Sequence, residues 1–320
     1  MRFGSFTLCK ISPLDSTMNI SNQKINTTKS FKPFVRWAGG KTQLLPQLID
    51  KIPDFIKNGD KFNYVEPFLG GGSFFFYIIE NYNPQKCYVN DLNKNLIGLY
   101  KNIKNDFKLL EIELEKIKIQ YSKTISQKDF YYDIRNKYNA LLDPNSVLKS
   151  AYLLFLNKTC FNGIYRENKN GEFNVPKGNK NNPEFYSLEN LKLVSKKLNE
   201  IDIIIHSKSF EKIDFSSDLK TFYFLDPPYR EIKNKKSFNE YLNQKYSNEE
   251  IQFKLSDFCQ KITNRNQYFM QTNSYTNDDF FQKLYSNDSY NISTIEASRR
   301  INSKGNKRGL IKEVMIRNYK

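Results

Sequence analysis

The stretch from Asn63 to Asp91 constrains the fold of this chain more than any other. Asn63-Tyr64-Val65-Glu66-Pro67 predicts a short strand, and Phe68-Leu69-Gly70-Gly71-Gly72 a turn with no side chain at three positions. Ser73 to Glu80 predicts a helix, and Lys86 to Asp91 a second strand that ends in an acid. Strand, glycine turn, helix and strand in this order make a βαβ unit. A crossover helix returns the chain to the same end of the sheet, so the two strands run parallel. The expected fold class is therefore α/β with a doubly wound sheet, and 320 residues suffice to bury both of its faces.

The same turn limits the ligand. A strand-to-helix turn without side chains lets a cofactor approach the backbone. The dinucleotide fingerprint, however, needs a further glycine at position 75, where Phe75 stands. A nicotinamide or flavin dinucleotide is disfavoured on that ground. Asp91 ends the next strand about 20 residues on, where an acid can accept hydrogen bonds from ribose hydroxyls; its alternative role is an ordinary helix cap. Upstream, Gly39-Gly40-Lys41-Thr42 imitates a phosphate loop, but that pattern requires a glycine at position 35, and the residue is Val35. Trp37, the sole tryptophan, either packs on a cofactor or fills the core.

From about Leu92 to Lys158 the apolar residues recur at helical spacing, which predicts a helical insertion. Strand-like runs return at Ile201 to Ile205 and Thr221 to Leu225, and a last strand is expected from Gly309 to Ile316. The second of these runs leads into Asp226-Pro227-Pro228-Tyr229, the most informative tetrapeptide in the chain. Its prolines stop the strand and fix an acid and an aromatic at its carboxyl end, the edge where open α/β sheets bind ligands. The Asp226 carboxylate and the Pro227 carbonyl offer two acceptors for the hydrogens of an exocyclic amine, and Tyr229 offers a stacking face for an extruded base. Adenine N6 is a poor nucleophile until its lone pair is freed from ring conjugation, which two such acceptors favour. A plain turn with Asp226 as a cap is the alternative.

Two further segments suit DNA. Between Phe161 and Pro176, Asn170-Gly171 predicts a type I′ turn joining two extended arms that carry Arg, Asn and aromatic residues. Arginine pairs bidentately with guanine, and an apolar side chain can wedge into a gap in the stack. Near the end, Arg299, Arg300, Asn302, Lys307 and Arg308 form a basic loop suited to phosphates, with eight basic residues and one acid, Glu313, between Arg299 and Lys320. The whole chain carries +16, as a polyanion binder would. Cys9, Cys87, Cys160 and Cys259 form no C-x-x-C pair, so neither a metal site nor a disulfide framework is expected, and a reduced, cytoplasmic setting follows. His206 is the only histidine and reads as structural. The longest apolar stretch, Phe68 to Ile79, falls short of the roughly 20 residues of a membrane helix.

Taken together and in order, these segments resemble the Dam-like DNA adenine N6-methyltransferase family (D12 class), from about Phe31 to the C-terminus. The resemblance rests on the Trp37-to-Lys41 entry, the glycine turn, a hairpin containing Gly171-Glu172-Phe173-Asn174-Val175-Pro176, the Asp-Pro-Pro-Tyr tetrapeptide and the basic loop. It implies S-adenosylmethionine (SAM) as cofactor, with contacts at Trp37, Lys41, Asp91 and Asp226, and with Glu66, Phe68, Gly70 and Gly72 lining the pocket. It places Asp226, Pro227, Pro228 and Tyr229 at the reacting base. It implies contact between double-stranded DNA and Arg36, Arg135, Phe161, Asn162, Ile164, Arg166, Asn168, Asn174 and Pro176. Arg166 would read a guanine and Phe161 would fill space beside the extruded adenine, with GATC as the expected site. Phe161 and Ile164 stand where relatives often carry tyrosine and leucine.

The expected organisation is a loose tail at 1–30, in which Met18 is an alternative start, and a catalytic domain at 31–94 and 190–320 interrupted by a DNA-recognition module at 95–189. A monomer, with a restriction endonuclease as functional partner, fits one active site per chain. Three alternatives stand at this point: methylation of another DNA sequence, methylation of RNA, and a catalytically silent DNA-binding protein that kept the fold.

Overall fold

The computed structural model describes residues 31–230, 248–298 and 310–320. Chain order begins with a 3-10 turn at Lys41–Gln43, then α1 (Leu45–Asp50), α2 (Asp54–Lys57), β1 (Asn63–Glu66), α3 (Ser73–Asn81) and β2 (Lys86–Asn90). Four longer helices follow: α4 (Lys94–Asn105), α5 (Phe107–Lys123), α6 (Gln127–Ala140) and α7 (Val147–Thr159). After a hairpin come α8 (Leu188–Glu200), β3 (Ile203–His206), β4 (Thr221–Leu225), α9 (Asn248–Asn264), β5 (Tyr268–Ser274), α10 (Phe280–Leu284), β6 (Asn291–Ser298) and β7 (Leu310–Arg317). Side-chain oxygens of Asn93, Ser126, Ser146 and Ser187 accept from the first turns of α4, α6, α7 and α8, which is why these helices begin where they do.

The strands form one seven-stranded sheet in the order β3-β2-β1-β4-β5-β7-β6, parallel except for β7. The fold is α/β and doubly wound, as the βαβ unit required. Successive strand residues alternate between two cores. Tyr64, Cys87, Val89, Phe222, Phe224 and Met270 face α3 and the α4–α8 side, with the Phe74 and Phe224 rings stacked 4.0 Å apart. Val65, Tyr88, Tyr223, Leu225 and Phe269 face α9 and α10. Because β1 and β4 are neighbours whose crossovers leave on opposite faces, a crevice opens beyond their carboxyl ends, the topological switch point where α/β sheets bind ligands.

The antiparallel strand matters for that crevice. β7 runs between β5 and β6, so its N-terminal half arrives at the carboxyl end of the parallel strands, with Glu313 opposite Ser274. In the helical region, α7 is apolar nearly all round and packs against α4, α5 and α6. The hairpin between Cys160 and Lys177 forms, but its turn differs from the type I′ expected. Gly171 N–H donates to Asn168 O (3.0 Å), Asn168 N–H donates to Glu172 O (2.8 Å), and Gly171 alone adopts positive φ (79°). This is a tighter turn followed by a glycine bulge. Its cause is Asn168, whose Oδ1 accepts from the Asn170 and Glu172 amides and seeds an Asx turn one step earlier.

Among the described residues no helix is long and apolar enough to cross a membrane. At the join between sheet and insertion, a Cβ on Gly98 of α4 would lie 1.8 Å from the Pro144 carbonyl oxygen. Gly98→Ala is therefore expected to destabilise the protein by about 1–3 kcal/mol through overpacking against backbone. An unchanged urea midpoint would rule out this close approach.

Candidate active site

Lys41 organises the crevice. Gly39 (φ 78°) turns the chain, and the Lys41 amide donates to Ser73 Oγ (3.2 Å) at the start of α3. The side chain, 3% exposed, directs its ammonium to three acceptors: Gly39 O (2.9 Å), Tyr229 Oη (2.6 Å) and Asp226 Oδ1 (2.7 Å). Those contacts use all three ammonium hydrogens. Thr272 Oγ1 on β5 also donates to Asp226 Oδ1 (2.9 Å), and the Tyr229 hydroxyl donates to Glu313 Oε2 (2.6 Å). The Pro228 carbonyl accepts from Gln252 Nε2 of α9 (3.1 Å), and Gln252 in turn is held by Asn273 Nδ2 (2.8 Å). Among the described residues nothing donates to the Pro227 carbonyl. Asp-Pro-Pro-Tyr is thus clamped at its acid, its second carbonyl and its phenol, with one carbonyl left for a ligand.

On the β1 and β2 side, Asp91 accepts from the Gly70 amide through Oδ2 (2.9 Å) and from the Asn93 amide through Oδ1 (2.9 Å). Gly70 and Gly72 adopt positive φ (51° and 69°). A Cβ at Gly70 would fall 2.9 Å from Trp37 Cδ1, so the indole lies on the turn itself. The Phe68 ring meets Phe210 at 5.3 Å. Glu66 is fully buried and accepts from the Tyr64 hydroxyl. Burial, opposed by that hydrogen bond and reinforced by the Asp226 and Asp91 carboxylates, drives its carboxyl well above the usual 4.5. Burial likewise raises Asp91 and Glu313, the Lys41 ammonium opposing it at Glu313. Tyr229 is held well above the usual range, first by burial and then by Asp226 and Glu313, so it stays a phenol that donates. The crevice thus holds one carboxylate paired with the Lys41 ammonium, Asp226, and three carboxyl groups that burial raises, Glu66, Asp91 and Glu313.

A second surface lies on the hairpin. Extended arms alternate sides, and here Tyr165, Phe173 and Val175 point inward while Arg166, Asn174 and Pro176 point out. Three α6 side chains one turn apart hold the second arm by its backbone: Tyr131 Oη and Arg135 Nη1 donate to Val175 O (2.8 and 3.4 Å), and Asn139 Nδ2 donates to Phe173 O (3.1 Å). Arg135 also stacks over Tyr132 (4.7 Å). Arg166 Nε donates to Asn174 Oδ1 (2.7 Å) across the arms. Phe161 is 44% exposed, and Asn162 beside it is left-handed (φ 55°) and exposed. Asn157 of α7 exchanges hydrogen bonds with both Arg36 backbone groups (2.8 Å each), and Gly163 leaves room for the Arg36 side chain to pass. Ile164 is half-buried, and Asn168 is engaged in the turn. Arg299, Arg300, Asn302, Lys307 and Arg308 lie outside the described residues.

The model of the D12 class N6 adenine-specific DNA methyltransferases matches residues 37–301. The chain belongs to this family. Among curated relatives, the Type II methyltransferase M.MjaIII of Methanocaldococcus jannaschii is 41% identical over 292 residues, covering 90% of this chain and 99% of that protein. The Type II methyltransferase M1.LlaDCHI of Lactococcus lactis is 33% identical, covering 94% and 98%. A DNA adenine methylase of Haemophilus influenzae is 25% identical, covering 92% and 96%. The protein is an adenine-specific DNA methyltransferase, and DNA is its substrate.

Sequence reasoning brought Lys41, Asp226 and Tyr229 to one site but missed the methyltransferase's Glu313, Thr272 and Gln252. One signal was present for Glu313: it is the single acid in a basic, strand-forming tail. Thr272 and Gln252 carry no such mark.

Glu66 makes a pH prediction. A carboxyl raised on folding keeps its proton after the unfolded chain has lost it, so stability falls as pH rises from about 4.5 towards the folded value, by up to ~1.4 kcal/mol per pH unit. Glu66→Gln should flatten this slope in urea unfolding followed from about pH 5 to 8. Equal slopes in the two proteins would contradict the buried, protonated carboxyl.

Proposed function

We propose that this methyltransferase moves a methyl group from SAM to N6 of an adenine swung out of duplex DNA, within GATC. The observation that carries the reading is the clamped Asp226-Pro-Pro-Tyr229 at the β1/β4 switch point, with the Pro227 carbonyl left open. The crevice fits a sulfonium cofactor: Asp91 and Asp226 bring carboxyl groups to it, and Gly70 and Gly72 bear no side chain, so the turn backbone lies bare between them apart from the Trp37 indole and the Tyr100 hydroxyl. Trp37, Lys41, Glu66, Phe68, Asp91 and Asp226 would line that pocket. SAM, when bound, supplies a methyl group already activated by its positive sulfur.

The chain's own part is positional. Asp226 and the Pro227 carbonyl accept the two N6 hydrogens, which draws the nitrogen towards tetrahedral geometry and frees its lone pair. Lys41 and Thr272 fix the Asp226 oxygen that they share, orienting the other towards the amine. Tyr229, fixed through its hydroxyl, presents its ring to the base. Residues 95–189 would be the DNA-recognition module between the catalytic parts 31–94 and 190–320. Arg36, Arg135, Phe161, Asn162, Ile164, Asn168 and Pro176 surround the hairpin face, and the loop from Arg299 to Arg308 would add phosphate contacts. The type II names of two relatives support pairing with a restriction endonuclease, the chain acting as a cytoplasmic monomer.

GATC rests on the Dam-like hairpin, and the Arg166–Asn174 contact supports its use on guanine. With Nε held by Asn174, Arg166 has its two terminal nitrogens free to face O6 and N7 together.

Incubation with labelled SAM and plasmid DNA, followed by mapping of methylated sites with nucleases that differ in tolerance of N6-methyladenine, tests chemistry and site together. Asp226→Ala should abolish transfer while duplex affinity stays within a few-fold, and residual turnover near wild type would exclude the proposed role. Asn174→Ala should mimic Arg166→Ala, relaxing discrimination at one guanine by about 1–3 kcal/mol. Unchanged ranking of single-base variants of GATC would mean that the pair does not read that base.

A further inference from the structure

Trp37 touches both halves of the molecule. Its indole lies against Gly70, whose added Cβ would come 2.9 Å from Cδ1, and its own Cβ lies by Gly71, where an added Cβ would come within 3.4 Å. Its other neighbour is the Tyr165 ring, stacked at 5.1 Å between centroids and 26° between planes. Gly70 is bonded to Asp91, and Tyr165 adjoins Arg166 in the hairpin. The Tyr165 ring has little freedom. It is 5% exposed, its hydroxyl accepts from Asn95 Nδ2 (3.2 Å) at the start of α4, contacts the Tyr138 hydroxyl (3.4 Å) and donates to the Glu167 carboxylate. Packed rings therefore run from the glycine turn to Tyr165, whose backbone continues into the arginine assigned to guanine.

We propose that Tyr165 is a positioning residue that registers the recognition hairpin against the cofactor turn through Trp37, so that filling either site changes affinity at the other. The inference rests on the SAM reading above. Close-packed interiors transmit displacements, because neighbouring groups have no void to move into. Trp37 is half-buried, but its indole is in contact with Gly70 on one side and the Tyr165 ring on the other, so a ligand that shifts Gly70 presses the indole against that ring. Coupling of this kind is reciprocal: the factor by which cofactor tightens DNA equals the factor by which DNA tightens cofactor.

The sole tryptophan gives a direct readout, since all tryptophan emission arises at the junction. The probes are S-adenosylhomocysteine and a duplex carrying the sequence mapped on plasmid DNA. In the full-length wild type, each probe alone should shift the emission of Trp37. S-adenosylhomocysteine should also tighten duplex binding by about fivefold or more. Tyr165→Phe keeps the stack and should keep this ratio. Tyr165→Leu should bring the ratio to within about twofold of one while both ligands still bind singly. A leucine variant with the wild-type ratio would overturn the proposal, as would wild-type emission that ignores the duplex. The emission test needs no variant, so it decides the matter even if Tyr165→Leu does not fold. Absence of S-adenosylhomocysteine binding to the wild type would refute the cofactor reading and this inference with it. Binding without any change in duplex affinity would refute this inference alone.

Discussion

A lysine ammonium taken out of water must be compensated, and the Lys41 ammonium is compensated by three parts of the chain at once. The Gly39 carbonyl ties it to the entry turn, Asp226 to the end of β4, and Tyr229, with Glu313 behind it, to β7. Removing one partner of such a buried pair costs about 3–5 kcal/mol, because it strands the other charge. The strength lies in mutual dependence rather than in any single bond. The sheet holds the acids, the acids hold the ammonium, and the ammonium fixes Asp-Pro-Pro-Tyr.

One strand of the sheet, β7, runs against the rest and completes this arrangement. Its register sets Glu313 opposite Ser274, at the carboxyl end of β5, where the Tyr229 hydroxyl finds its acceptor. A buried acid thus stands beside the tetrapeptide. The same strand closes the Val314 and Ile316 side against the second core, while Glu313 and Met315 lie on its other face, so one element serves packing with alternate residues and the site with Glu313.

Much of this was legible in the sequence because it follows from local pattern. β1, the glycine turn, α3 and β2 were expected within a residue or two of where they lie, as were β4 and β7. β5 was not, and the reason is physical. Gln271, Thr272 and Asn273 sit in its centre fully buried, so the strand lacks the apolar run that marks a buried strand. Their polar atoms serve the site: Thr272 on Asp226, Asn273 on Gln252 and Arg230. The hairpin turn was misjudged for a related reason, since the Asn-Gly dipeptide was weighed without the competing side chain of Asn168. In β5 the partners are distant in sequence, whereas at the hairpin the partner amides are local and the Asn168 side chain was the competing signal.

The hairpin separates its own anchoring from whatever it reads. Tyr131, Arg135 and Asn139 grip backbone carbonyls of the second arm, and inward Tyr165, Phe173 and Val175 fill the space beneath. None of these contacts involves the outward side chains of Ile164, Arg166 or Asn174. A change in those side chains leaves the docking intact, because backbone acceptors are the same for every residue type. The Asp-Pro-Pro-Tyr tetrapeptide has no such freedom, since its acid, a carbonyl and its phenol are each committed to a specific partner. On the proposed reading, target sequence can thus vary on a fixed ribbon while the partners of Asp226 stay constant.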